Sequence, residues 1–346
     1  MVISANSIAT SVIGRCRPVS TFASLSVLAA ALSLSLAACG GNLSGGGGGK
    51  FPSGPVTMTI GQAPGGSTDL IGRALAQGAA DDLGVPMPVV NTPGANGALA
   101  AGELAGRQPD GQHIMVINAS LAAITPLAAA SQEAVAIDDF EVVTGISQDD
   151  YVLVANAASG LNSVRSLVDA HRNLKFGTTG VGTGSQLSQE LLFKQAGIAG
   201  TAVPFDGGSP AMTAVLGDQV DVASVQLGEA IGQIRAGELV PLVTFAAQRN
   251  RYLPGTPTAV EEGYDVRVSQ FRAVVAPKGT PREVVDRLRQ AFRTTFATER
   301  YRKFNEDNLL TPHEVDGAQV AQEWTGSLES YRTMIQRYGI DLGGPK

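Results

Sequence analysis

Residues 62–111 read QAPGGSTDLIGRALAQGAADDLGVPMPVVNTPGANGALAAGELAGRQPDG, and this stretch decides the fold. The turn Pro64-Gly65-Gly66-Ser67-Thr68-Asp69 follows a short apolar run over 56–60 and opens a helical pattern. A second glycine turn, Thr92-Pro93-Gly94-Ala95-Asn96-Gly97, follows another apolar run and opens a second helical pattern. Strand, glycine turn and helix start together aim several backbone N–H groups at one point, the usual cradle for an anion.

Working outward, strand-like runs alternate with helical patterns, which predicts an α/β architecture. Strands are expected over 56–60, 87–91, 113–117, 151–155, 175–178, 200–203, 220–224, 239–244 and 272–276. Helices are expected to start near Asp69, Gly97, Ser163, Ser185, Pro210, Glu229, Pro281 and Gly317. Thr280-Pro281-Arg282-Glu283 reads as a cap, a first-turn proline and a Glu three residues after the cap. The helix that follows places Val284, Val285, Leu288, Phe292 and Phe296 on one face, while Trp324, Leu328, Tyr331, Ile335 and Tyr338 recur at helical spacing as core. The body exceeds a comfortable single α/β core, so two lobes are expected.

Composition excludes several function classes. A net charge of −6 without basic clusters speaks against nucleic acid as a partner. The two cysteines, Cys16 and Cys39, both lie in the leader region, so the body has no disulfide, cysteine nucleophile or thiolate metal site. His113, His171 and His313 form no pair at metal-ligand spacing. Neither a metal nor a cofactor is expected.

Arg15 and Arg17 precede an apolar run over 25–38 that ends in Leu36-Ala37-Ala38-Cys39. This reads as a signal peptide over 1–38 closed by a lipobox, with Cys39 as the lipidated residue; the alternatives are an ordinary signal peptide with an incidental cysteine, or a single-pass anchor. Residues 39–53 then form a glycine-rich tether, expected to hold a soluble body at a membrane surface. The run over 40–50 is no phosphate-binding loop: Ser44 replaces its first glycine, Phe51 its hydroxyl residue, and no strand precedes it.

Six segments carry a resemblance: PGGSTDLIGRALAQ (64–77), VVNTPGANGALAAGELAGRQPDG (89–111), FGTTGVGTGSQLSQELLF (176–193), VPFDGGSPAMTAVLGDQVDV (203–222), AGELVPLVTFAAQRNRYLPGTPTAVEEGYDV (236–266) and VAPKGTP (275–281). In this order and spacing they resemble the extracytoplasmic solute-binding proteins of tripartite tricarboxylate transporters, the TctC or Bug family. The resemblance implies a two-lobed periplasmic-binding-protein (Venus flytrap) fold with a ligand cleft between the lobes. It implies a discontinuous lobe 1 over 54–152 plus 272–346 and a lobe 2 over 153–271. The chain would cross between them near 151–155 and 269–276.

The same resemblance implies a binding protein, not an enzyme, that captures a small tricarboxylate or dicarboxylate and presents it to membrane permease subunits. It would lie in the periplasm or on the outer face of the cytoplasmic membrane, and a monomer is expected. The implied ligand residues on lobe 1 are Gly65, Gly66, Ser67, Thr68 and Asp69, with Asn118, Ala119 and Ser120 as a second segment. Asp69 has an alternative role as helix cap, and 118–120 as a structural loop. The macrodipole at the first helix start favours an anion by about 0.3–1 kcal/mol. On lobe 2 the implied residues are Thr179, Thr183, Gly184, Ser185, Gln186, Phe205, Gly208 and Gln226.

The turn over 178–185 superficially matches a dinucleotide fingerprint, but Ser185 stands at its last glycine and no acidic partner follows. Departures from the commoner family pattern fall at Gln186, where many members carry His, and Val181, where many have Asn. Phe205-Asp206-Gly207-Gly208 replaces the usual Tyr-Lys-Gly-Ser. Gln226 and Glu229 lean toward the tricarboxylate-binding branch. Two rivals stand beside this reading: a ligand-sensing accessory of a signalling protein, and a secreted hydrolase using Ser67 or Ser185. The hydrolase lacks a G-x-S-x-G elbow.

Overall fold

A computed structural model describes residues 51–128 and 135–343. The leader, Cys39 and the run over 40–50 lie outside them. The first half of the chain runs β1 (Thr57–Ile60), α1 (Ser67–Leu83), β2 (Val89–Asn91), α2 (Ala98–Ala105), β3 (His113–Asn118), α3 (Ala119–Ala123), α4 (Thr125–Ala128) and β4 (Phe140–Asn156). There follow α5 (Val164–Val168), β5 (Leu174–Thr178), α6 (Gly184–Ala196), β6 (Gly200–Pro204), α7 (Gly208–Leu216), β7 (Val222–Gln226), α8 (Leu227–Arg235) and β8 (Leu239–Thr244). The chain ends with β9 (Ser269–Pro277), α9 (Arg282–Phe296), α10 (Glu299–Asp307) and α11 (Gly317–Tyr338).

The long strand β4 organises the rest. Over 140–150 it pairs antiparallel with β9, in a sheet ordered β2-β1-β3-β9-β4. From Tyr151 onward it changes partners and pairs with β7 and β8, leading into β5 and β6. One strand thus serves two sheets, and each sheet has helices on both faces. Val56, Ile60, Leu75 and Val116 pack with Leu288 and Phe292 on one face of the first sheet, under α1 and α9. Met115, Ile117 and Phe271 pack with Val320 and Trp324 on the other. In the second sheet, Phe176, Leu191 and Val243 form one core with α6, and Val152, Val225 and Val215 another with α7.

The final helix serves both halves. Its first turns bury Trp324 against the first sheet, and its last turns place Tyr331 and Ile335 in the core beneath α6. The apolar spacing read in the sequence is therefore a real core stripe, split between two cores.

Local signals explain the element starts. The Ser163 hydroxyl accepts from Ser166 N–H to cap α5, Thr183 accepts from Gln186 N–H to cap α6, and Asp316 accepts from Gln319 N–H to cap α11. The expected cap at Thr280 is corrected: its hydroxyl donates to the Pro277 carbonyl at 2.7 Å, and Pro281 becomes the uncapped residue before α9. The outer edge of β4 is covered by the segment 310–316, with Gly145 N–H donating to Val315 O and His313 N–H to Ile146 O. A side chain at Gly145 would sit 2.5 Å from the His313 carbonyl, so glycine is required there.

Candidate ligand-binding cleft

The centre of the site is Arg272, on β9, with no solvent exposure. Its Nε donates to Thr68 Oγ1 at 3.0 Å and its Nη2 to Ser67 Oγ at 3.0 Å, both at the start of α1. Its Nη1 meets Ser147 Oγ at 3.1 Å and forms an ion pair with Asp149, both on β4. Nη2 also donates to the side-chain oxygen of Gln226, at the end of β7. One guanidinium thereby ties the first glycine turn, the shared strand and the opposite sheet together. A buried cation requires this degree of pairing, since an uncompensated one costs several kcal/mol.

Asp149 is fully used as well. It accepts from Ser147 Oγ at 2.8 Å and from Thr311 N–H at 2.8 Å. The Thr68 hydroxyl donates in turn to Asn118 Oδ1 at 3.3 Å, which joins the end of β3 to the same network.

The second glycine turn supplies another link across the halves. Asn96, in the left-handed region at φ 55°, donates from Nδ2 to Ser120 Oγ and Thr125 Oγ1, each at 3.0 Å, and to the Gly182 carbonyl at 3.3 Å. Thr125 Oγ1 also donates to Gly182 O at 3.2 Å. Gly182 belongs to the turn between β5 and α6, so this contact closes the first sheet's loops onto the second's.

In that turn most side chains hold the turn itself. Thr183 donates to Gly180 O, and Ser185 donates to Ser224 O at 2.5 Å while accepting from Thr179 N–H. Gln186 accepts from Gly182 N–H and donates to Leu342 O. A side chain at Gly184 would lie 2.6 Å from the Tyr151 ring. Tyr151 in turn donates to Gln270 Oε1 at 3.1 Å, and burial pushes its phenol well above the ordinary range.

Glu229, on α8, borders the remaining space. Its Oε2 is sealed from solvent without a hydrogen-bond partner, and Gly208 lies against it so closely that an added Cβ would touch that oxygen. Burial pushes the Glu229 carboxyl up, against the opposing pull of Arg272 and of the Ser67 and Gln226 N–H groups. A cavity of about 130 Å³ opens between Gly65 and Ser67 on one side, Ser209, Gly228 and Glu229 on another, and Leu310.

The structure gathers Ser67, Thr68, Asn118 and Gln226 around Arg272, and Gly65 and Glu229 around the cavity, with Gly208 packed against Glu229. Gly66 is the extended residue before α1. Ser120, buried with Ala119, joins the Asn96 network. Phe205 packs onto the core beside Val203 and Leu216. The Asp69 oxygens are filled by Gly65 N–H, Arg73 and Asn91. Burial opposes ionisation there, but those partners outweigh it and hold the carboxyl below its usual range.

Arg272, Ser147, Asp149, Asn96 and Thr125 were not singled out as site residues in the sequence. One signal was present for the first: a lone charge inside the apolar run SQFRAVVAP. Among the described residues, no group of three or more His, Cys, Asp or Glu could hold a metal ion.

Two α/β halves joined by a shared strand, with a polar cleft between their loops, define a two-lobed periplasmic binding protein. Residues 71–340 match the tripartite tricarboxylate transporter family receptor, TctC, and the chain belongs to that family. A protein from the TAR-I ttuE-ttuC′ intergenic region of Agrobacterium vitis is 32% identical over 71% of this chain and 72% of its own. The structure of MatC from Rhodopseudomonas palustris, solved with bound malate, is 27% identical at TM-score 0.76, covering 82% of this chain and 100% of that one. The periplasmic binding protein BugD shares the fold at TM-score 0.78 and 24% identity, covering 85% of this chain and 100% of that one. The protein is accordingly a solute-binding protein and not an enzyme. No helix among the described residues is long and apolar enough to cross a membrane.

Proposed function

We propose that the protein captures a small carboxylate between its lobes and delivers it to the membrane permease of a tripartite tricarboxylate-type transporter. The observation that carries this reading is the convergence of the α1 N-terminus, Arg272 and Gln226 on one point between the two sheets. A carboxylate oxygen is a stronger acceptor for a guanidinium than the neutral Gln226 amide, because charge-assisted bonds are roughly twice as strong. Ligand entry exchanges Gln226 for a carboxylate at Arg272 Nη2, while the Ser67 and Thr68 N–H groups add the favourable end of a helix dipole.

The cleft cavity of about 130 Å³ is smaller than the roughly 300–1,000 Å³ usual for small-molecule sites. Binding therefore requires the lobes to part. This reading puts the hinge at the crossings near 151–155 and 269–276, supported by the change of partners in β4 at Tyr151 and the start of β9 at Ser269. The lobes of this reading are 54–152 with 272–346, and 153–271, the bounds that the family resemblance implies. Malate in the related MatC supports a dicarboxylate as ligand class.

Anchoring follows from Cys39: lipid on this residue and the glycine tether behind it hold the body at the outer face of a membrane. Isothermal titration with malate, citrate, adipate and tricarballylate tests the binding reading. Saturable one-to-one binding of at least one is expected, and a folded sample that binds none overturns it. Metabolic labelling with palmitate tests the anchor, with incorporation lost in Cys39→Ser.

A further inference from the structure

A second cavity, of about 540 Å³, lies between α9, α10 and the loop after β8. Arg251, Arg293 and Arg302 reach it from those three elements. Among the described residues, no carboxylate lies within 4.0 Å of any of these three guanidinium groups. The contrast with their neighbours is local. On the same α9, Arg287 pairs with Asp82 and Arg289 with Asp286; on α10, Lys303 pairs with Asp307.

Glu306 and Glu314 also line the cavity, but neither forms an ion pair. Burial pushes the Glu314 carboxyl up, which weakens its claim as a standing counter-charge. Asn305 is a second and independent observation. It lines the cavity at 5% exposure, and its Oδ1 is sealed without a hydrogen-bond partner. A buried amide of this kind costs free energy until something bonds to it. The volume falls inside the range of small-molecule sites, so the occupant is a small solute and not a protein surface.

We propose that this cavity is a second binding site for a small multivalent anion, carboxylate or phosphate in class, distinct from the ligand cleft. Three guanidinium groups lining one cavity, with Arg251 also donating to Tyr252 Oη at 2.6 Å, offer planar donors to such an ion, and the acceptor Asn305 Oδ1 is met by an O–H carried by the ion, as in a hydrogen phosphate or a hydroxycarboxylate. The site also adjoins the cleft. Leu310 lines both cavities, and α10 presents Asn305 and Glu306 to this one and Phe304 to the other, where Asn308, just past the helix, joins it. Because Arg251 follows β8 while Arg293 and Arg302 belong to α9 and α10, a bound anion links segments from the two halves.

The test uses thermal unfolding of the mature chain titrated with pyrophosphate, against sodium chloride of matched ionic strength. A saturable rise in Tm is expected for the wild type. The same rise is expected in Thr68→Val, which disables the cleft, so that failure of the carboxylate reading leaves this one standing. In Arg293→Ala/Arg302→Ala the half-saturating concentration should increase at least tenfold. Both side chains are exposed, so the unliganded fold should survive. Arg302→Glu alone should weaken pyrophosphate by a comparable factor, giving a second variant should the first not fold. No saturable rise beyond the salt control, or an unchanged response in the variants, overturns the proposal.

Discussion

Arg272, on β9 in the first sheet, donates to the side-chain oxygen of Gln226, at the end of β7 in the second. The same guanidinium pairs with Asp149 on the strand that both sheets share. Opening the cleft must break the Gln226 bond and can leave the Asp149 pair intact. Arg272 thus keeps its charge compensated while presenting free donors to an incoming anion. A site built this way avoids stranding a bare cation in either state.

Removing Arg272 should therefore harm stability through Asp149. Arg272→Met leaves a buried carboxylate without its cation, at a cost of about 3–5 kcal/mol. The Ser147 hydroxyl and Thr311 N–H still serve Asp149, which places the expected loss near the lower figure. Adding Asp149→Asn should recover part of it. Urea unfolding of both single variants and the double completes the cycle; an unrescued double variant would show that the two groups are not coupled.

Glu229 sets a pH dependence. Its folded pKa is raised above the ordinary 4.5, so the folded state holds this proton more tightly than the unfolded chain. Below 4.5 the group costs nothing; as pH rises through and above that value, stability is lost until the raised folded pKa is passed. Glu229→Gln should abolish this component and be more stable than wild type at neutral pH, with the gap closing in mild acid. Parallel urea titrations at the two pH values read the difference, and identical pH slopes would contradict it. Binding of an anionic ligand should weaken over the same window, because an ionised Glu229 faces the cavity.

What the sequence disclosed was local. Both glycine turns sit at strand–helix junctions, and the stripes Val284 to Phe296 and Trp324 to Tyr338 became core, because helix starts and apolar faces are written within a few residues. The first half of β4 escaped notice. Its stretch EVVTGISQDD carries Thr144, Ser147 and Asp149 inside, and two register shifts break its alternation. The helix α10, ERYRKFNED, has too few apolar residues for a readable face. The Arg272 network joins Ser67, Ser147 and Gln226, and no local pattern encodes contacts of that separation.

Asn96 tests the latch between the loops. Asn96→Gly retains the left-handed backbone at φ 55° but removes the bonds to Ser120, Thr125 and Gly182. Global stability should fall by more than about 1 kcal/mol, the usual net worth of one such bond, with the greater chain entropy of glycine adding to the loss. Amide hydrogen exchange should rise selectively around 180–184 and 119–125. Uniform exchange across the chain would assign Asn96 to general stability instead.

Gly228 provides the steric counterpart. A Cβ at this position, near the start of α8, would lie 2.4 Å from the Asn308 carbonyl that ends α10. The obstacle is backbone and not a flexible side chain, so the lobes must separate to admit it. Overpacking of this kind costs about 1–3 kcal/mol, and here the cost falls on the closed form alone. Gly228→Ala should therefore weaken carboxylate binding by roughly five- to 150-fold, that cost read as a ratio of affinities. The unliganded fold should tolerate the change, since alanine favours the helix it enters. Small-angle scattering on apo and saturated samples checks the cause: the variant should remain extended at ligand concentrations that compact the wild type. Unaltered compaction alongside weakened binding would place the defect in a direct ligand contact and remove closure as its origin.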